Sequence, residues 1–158
     1  MTNRNTIENS KTVSVLNDLL HIVNDRMEGY ASVEGKIWEK DHKLQDNYEH
    51  FISQSNVMKN DLINLITKLG GNADDSSSVS GTLHRAWIDV KNSFIVGNLE
   101  ESTLQNVIFG EEAAIKSYRD ALKTGELDSE STALVEDQLK KITDSYNEFK
   151  GIYENYKA

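Results

Sequence analysis

No proline occurs anywhere in the 158 residues. At an average usage of about 5%, roughly eight would be expected. Helix interiors and sheet ladders exclude proline, because its ring removes an N–H donor and crowds the preceding turn. A chain without it is free to run in long uninterrupted segments, and the spacing of apolar residues says of which kind. Leu16, Leu20, Val23, Met27 and Tyr30 recur at steps of three and four, one stripe of a 3.6-residue period. The spacing predicts a first helix from about Lys11 to Val33, with residues 1–10 as a flexible tail.

A second helix is predicted from near Trp38 to Leu69, with Leu44, Tyr48, Phe51, Met58, Leu62, Leu65 and Leu69 on one stripe. Gly70-Gly71 stops it, as glycine does at helix C-termini. Residues 70–80, GGNADDSSSVS, form the clearest loop. Ser80 suits the N-cap of a short amphipathic helix over Gly81 to Phe94. A third long helix is predicted from Leu99 to Lys123, with Leu104, Ile108, Ile115, Tyr118 and Leu122 inward. Thr124-Gly125 ends it, and Asp128 or Ser129 caps a fourth helix carrying Val135, Leu139, Ile142, Tyr146, Phe149 and Tyr153. Nothing reads as a strand.

Four long helices with apolar stripes bury them against one another, so a single four-helix-bundle domain over residues 1–158 follows. Short links join helices one and two, and three and four, which predicts two antiparallel hairpins. The link from Gly70 to Asn98 is much longer. A bundle helix of about 25 residues is roughly 38 Å long, and this link can span it. Helices two and three can then run parallel. One long crossover is the ferritin-like arrangement; an up-down bundle does not need it.

Charge narrows the partners. The chain holds 26 acidic and 17 basic residues, a net charge of −9. That balance argues against nucleic acid and an anionic membrane as main partners, and leaves a homodimer or an unidentified protein partner. No apolar stretch after Arg4 resembles a signal sequence, and none approaches the roughly 20 residues of a membrane span. A cytoplasmic location is the expectation. The absence of cysteine excludes disulfides, thiolate metal sites and cysteine nucleophiles.

Three pieces of sequence carry a resemblance. The run Ser78-Val79-Ser80-Gly81-Thr82-Leu83-His84-Arg85-Ala86-Trp87 follows Leu69-Gly70-Gly71. With Asn24-Asp25-Arg26-Met27-Glu28-Gly29-Tyr30 and Gly110-Glu111-Glu112-Ala113-Ala114, it resembles a family of bacterial ferritin-like four-helix-bundle proteins of unknown function. The resemblance runs from about Thr12 to Tyr156. It implies the fold and a bacterial origin, but no established activity; the long crossover carrying a short fifth helix is the expectation from the link length and apolar spacing above. More remotely the chain is similar to the ferritin superfamily, whose members often hold two metal ions in the bundle core.

A dinuclear site in such a bundle uses one Glu from each of two helices and Glu-x-x-His from each of the other two. Helix one offers Asp25 and Glu28, and helix three offers Glu111 with Glu112 beside it. Helix two offers Asp46, Glu49 and His50, but its one Glu-x-x-His, Glu39 to His42, lies at its start. Helix four contains no His. The recipe is broken at two of four helices, leaving Glu28, Glu111 and His50 as a looser candidate set for Fe or Mn. Glu111 falls on the apolar stripe between Ile108 and Ile115, where an unpaired carboxylate is costly. It could accept from a Tyr hydroxyl or from Arg26 across the bundle, ligate a metal, or reach water at the stripe's edge.

His84 and Arg85 beside Trp87 could form a small anion site, but the better reading is that Trp87 anchors the crossover to the bundle. His21 and His42 flank their stripes and are expected to be solvated. No P-loop, nucleophile elbow or EF-hand spacing is present. The expectation is a non-enzymatic structural or stress-associated interaction protein without a cofactor. The alternative is a carboxylate-rich metal-binding bundle or oxidoreductase.

Overall fold

A computed structural model describes residues 2–33, 42–76 and 99–157. Its helices are α1 (Thr2–Val33), α2 (His42–Lys68), α3 (Leu99–Lys123) and α4 (Ser129–Lys157); among the described residues there is no strand. The fold is a ferritin-like four-helix bundle. The short helix expected over Gly81 to Phe94 lies outside the described residues, as do His84, Arg85 and Trp87.

α1 begins at Thr2, earlier than the start near Lys11 expected from the apolar stripe. Residues 2–10 contain no glycine or proline to stop a helix, and bonds to other segments begin at Asn9. Asn9 donates to the Leu69 carbonyl at 3.4 Å, and the Thr12 hydroxyl reaches the Glu126 carbonyl.

The helix ends follow local chemistry. Gly70, at φ 84°, closes α2. The Gly70 N–H donates to Thr67 O and the Gly71 N–H to Ile66 O, the paired bonds of a Schellman motif that satisfy orphan carbonyls. Gly125, at φ 72°, follows α3, and there the Glu126 N–H donates to the Thr124 hydroxyl at 3.2 Å. Asp128 caps α4, its carboxylate accepting from the Ser131 N–H at 2.8 Å.

Cross-links between helix ends establish the topology. Asn9 and Thr12, early in α1, meet Leu69 after α2 and Glu126 after α3, so α2 and α3 finish at the same end and run parallel. Lys68 meets Glu130 at the start of α4, and Gln105 early in α3 meets Tyr153 late in α4. Helix α1 packs on α2 and α3, and α4 packs on α3 and α2. All four neighbouring pairs are therefore antiparallel.

After α2 the chain turns back along α1. Asn17 holds this strap from both sides, donating to Asn72 O at 3.0 Å and accepting from the Asp74 N–H at 2.8 Å. His21 Nδ1 lies 2.6 Å from Ser76 O and Nε2 3.5 Å from an Asp74 carboxylate oxygen. His21 is thus half-buried under the strap and not freely solvated, because the crossover passes over it. Asn24 donates to Asp75 at 2.8 Å, and Lys59 of α2 lies 3.0 Å from the same carboxylate. Burial would raise the Asp75 carboxyl, but the bonds from Lys59 and Asn24 outweigh it and hold it below the usual carboxylate range.

The strap needs glycine at its closest approach. A Cβ on Gly71 would sit 2.6 Å from Val13 Cγ1, and a helical valine has little rotamer freedom to retreat. Gly71→Ala is expected to cost about 1–3 kcal/mol, read as a lower urea midpoint. Gly151→Ala is the control, because a Cβ there meets nothing within 4 Å. It should instead stabilise α4 by up to about 1 kcal/mol. A Gly71→Ala variant as stable as wild type would refute the contact.

Inside the bundle, the apolar stripes form two clusters. One holds Leu16, Leu20, Val23, Met58, Leu62, Ile115, Tyr118, Val135 and Ile142, among others. The second, towards the opposite end, is aromatic: Tyr30, Tyr48, Phe51 and Phe149 with Leu104 and Val107. Phe51 and Phe149 rings lie 5.2 Å apart, and Tyr30 and Phe149 rings 5.7 Å apart. Between the clusters all four helices contribute buried polar side chains, among them Arg26, Ser55, Glu111 and Ser145.

Candidate metal centre

That polar layer lies at the middle of the bundle. Ser55 is the fourteenth of 27 residues in α2, and Glu111 the thirteenth of 25 in α3. Its centre is an ion pair with both side chains 0% exposed. Arg26 Nε donates to Glu111 Oε1 at 2.7 Å and Nη2 to Oε2 at 2.9 Å, the parallel fork that makes Arg–carboxylate pairs strong. The remaining donors point at α2. Nη2 also reaches Gln54 Oε1 at 3.2 Å, and Nη1 reaches Ser55 Oγ at 2.8 Å and Met58 Sδ at 3.6 Å. A guanidinium has five N–H donors, and each has an acceptor here.

Aromatic faces complete the enclosure. The guanidinium carbon is 5.3 Å from the Tyr30 ring centroid and 5.8 Å from that of Phe51, within cation–π range. Burial alone would lower the Arg26 pKa, but Glu111 overrides it and holds the guanidinium more firmly protonated than usual. The Tyr30 hydroxyl is pushed well above the ordinary phenol range, first by burial and then by the charge of Glu111.

The layer reaches the fourth helix through neutral groups. Tyr30 Oη and Ser145 Oγ are 3.1 Å apart. About two turns along α3 and α4, the Tyr118 hydroxyl donates to Gln138 Oε1 at 2.7 Å, and Gln138 Nε2 donates to Met58 O at 3.0 Å. Gln138 is 0% exposed and links α2, α3 and α4.

Of the three candidate ligands, only Glu111 is inside. Glu28 and His50 are exposed, and the His50 ring lies edge-on to Phe51 with centroids 5.0 Å apart. The three do not converge in the core. The reason is angular: Glu28 is two residues after Arg26, and helix positions two apart do not share a face. Asp25 is buried, whereas Asp46, Glu49 and Glu112 are exposed. Among the described residues no group of three or more His, Asp and Glu is placed to hold a metal ion.

Arg26 was foreseeable as a partner for Glu111. Ser55, Gln138 and Ser145 were passed over, although a simple signal marks them. In α4 the positions 131, 135, 138, 142, 145 and 149 are all buried and repeat at steps of four and three. Gln138 and Ser145 stand on that stripe beside Val135, Ile142 and Phe149. A polar residue on a buried stripe requires a partner, and the same test selects Arg26, Ser55 and Glu111.

Comparison with known proteins agrees with this architecture. A family model described as a domain of unknown function, DUF2383, matches residues 11–124. The chain belongs to that family. The match spans α1 to α3, while α4, which supplies Gln138 and Ser145, follows it. No curated protein matches the DUF2383 chain in sequence. Among solved structures it is similar to Desulfovibrio desulfuricans bacterioferritin, from an X-ray study of that protein's diiron site in different catalytic states. The TM-score is 0.74 at 16% identity, covering 97% of this chain and 84% of that one. Identity this low speaks for the fold alone.

The donor set of the polar layer does not fit a dinuclear metal group. It offers one carboxylate, already bonded through both oxygens to a guanidinium, together with amides, hydroxyls and a thioether. Two divalent ions need several carboxylates or imidazoles to balance their charge, and the fixed positive charge of Arg26 would repel them.

Proposed function

We propose that this DUF2383 bundle is a non-enzymatic structural or stress-associated interaction protein. One observation carries the reading: the middle of the core, where ferritin-like bundles place their chemistry, is filled by a buried and fully satisfied Arg26–Glu111 pair. The pair leaves Glu111 no oxygen unengaged for a ligand. What the molecule offers to partners is then its outside. Phe109 is 50% exposed and borders a groove of about 480 Å³ with Ala113, Lys116, Arg119 and Lys123 on α3, where a homodimer or other protein contact would be sought. No helix among the described residues is long and apolar enough to cross a membrane.

A carboxylate-based metal-binding or oxidoreductase role is the second reading, favoured by the structural likeness to a diiron bacterioferritin. Elemental analysis separates the two. Protein purified after growth in metal-replete medium is expected to carry Fe, Mn and Zn well below one equivalent, with no change in melting temperature on adding Fe²⁺. Near-stoichiometric metal that disappears in Glu111→Ala would reverse the preference.

A further inference from the structure

We infer that Arg26 is the resident cation of this bundle: its guanidinium does the neutralising and cross-linking that metal ions do in metal-holding bundles of this fold. The inference deepens the reading above and rests on it. The geometry supports it in three ways. First, a buried carboxylate at mid-helix needs a positive partner, and Arg26 is the partner present, 2.7 Å away. Second, the acceptors around Arg26 match a planar fork and not a metal. They are two carboxylate oxygens on one side, with an amide oxygen, a hydroxyl and a thioether on the other, one for each N–H. Third, those acceptors come from α2 and α3 while the cation comes from α1. The group therefore ties the α1–α2 hairpin to α3, across 85 residues of sequence. A lysine could not take this place, because an ammonium has three donors and no fork.

The test is chemical rescue. Arg26→Ala is expected to melt roughly 10 °C below wild type. About 20 mM guanidinium chloride, far below denaturing concentrations, should recover several degrees in that variant and none in wild type or Glu111→Leu. Rescue by manganese(II) chloride and not by guanidinium would overturn the inference, since the layer would then be shaped for a metal. A variant melting at the wild-type temperature would also overturn it. If Arg26→Ala does not fold, the double variant Arg26→Met/Glu111→Leu decides. Melting within a few degrees of wild type, and above Glu111→Leu alone, is expected; losses at least as large as those of Glu111→Leu would overturn the pairing. Metal analysis of wild type tests the function reading separately, so the two can fail independently.

Discussion

Glu111→Leu is expected to remove about 3–5 kcal/mol of folding stability, the usual consequence of stripping one partner from a buried ion pair. The side chain that remains is the problem. Arg26 would keep a full charge and five donors in a site with no exposure, and Glu111's two oxygens are the acceptors for two of those donors. Deprotonation offers no relief, because a guanidinium does not lose its proton in proteins. Glu111→Gln should fall between Glu111→Leu and wild type, as it retains one acceptor oxygen but turns an amide N–H towards Nη2. Urea denaturation of the two variants checks the order. A loss below about 1 kcal/mol for Glu111→Leu would contradict the buried, dry character of the pair. Surface pairs give the comparison: removing the exposed partners in Lys116–Asp120 or Lys140–Asp144 should change stability little, because solvent screens both charges.

Alkaline unfolding is expected to be unusually steep. Tyr30, Tyr48 and Tyr118 are each 0% exposed. Burial is the largest cause of the raised pKa of all three phenols, and Glu111 adds to it for Tyr30 and Tyr118. The folded state therefore keeps three protons that the unfolded chain releases near pH 10. Stability from these groups is complete below that pH and is lost as pH rises above it. Each tyrosine contributes a slope of about 1.4 kcal/mol per pH unit, so three give roughly 4. Near-ultraviolet titration should show these three phenols ionising only as helical circular dichroism collapses. Ionisation of all six tyrosines near pH 10, with the helices intact, would refute the burial.

The fold was legible in the chain because helix period, glycine stops and link lengths all act locally. Gly70 and Gly125 ended helices where expected, Asp128 capped the last one, and the single long link implied the parallel α2–α3 pair that Asn9 and Thr12 report. The start of α1 was misjudged because it carries few large apolar residues and is held by contacts with residues 69 and 126, which no local pattern reveals. The site was half legible. Glu111 stood out as a charge on an apolar stripe, and Arg26 was one of three possible partners. Choosing among them required knowing which residues of α1 and α3 share a level, a property of packing and not of spacing. His21 was misjudged for the same reason, since only the path of residues 71–76 covers it.

The polar layer also restricts how the helices can slide. A stripe of Leu, Ile and Val looks much the same after displacement by one turn, 5.4 Å along the axis, and apolar packing alone discriminates weakly between such registers. Arg26, Ser55, Glu111 and Ser145 do not repeat one turn up or down. A slip of that size would carry Glu111 beyond reach of the guanidinium and leave both charges in a dry interior. The layer thereby acts as an alignment mark: one buried level at which four helices of 25 to 32 residues can be stacked in a single relative position.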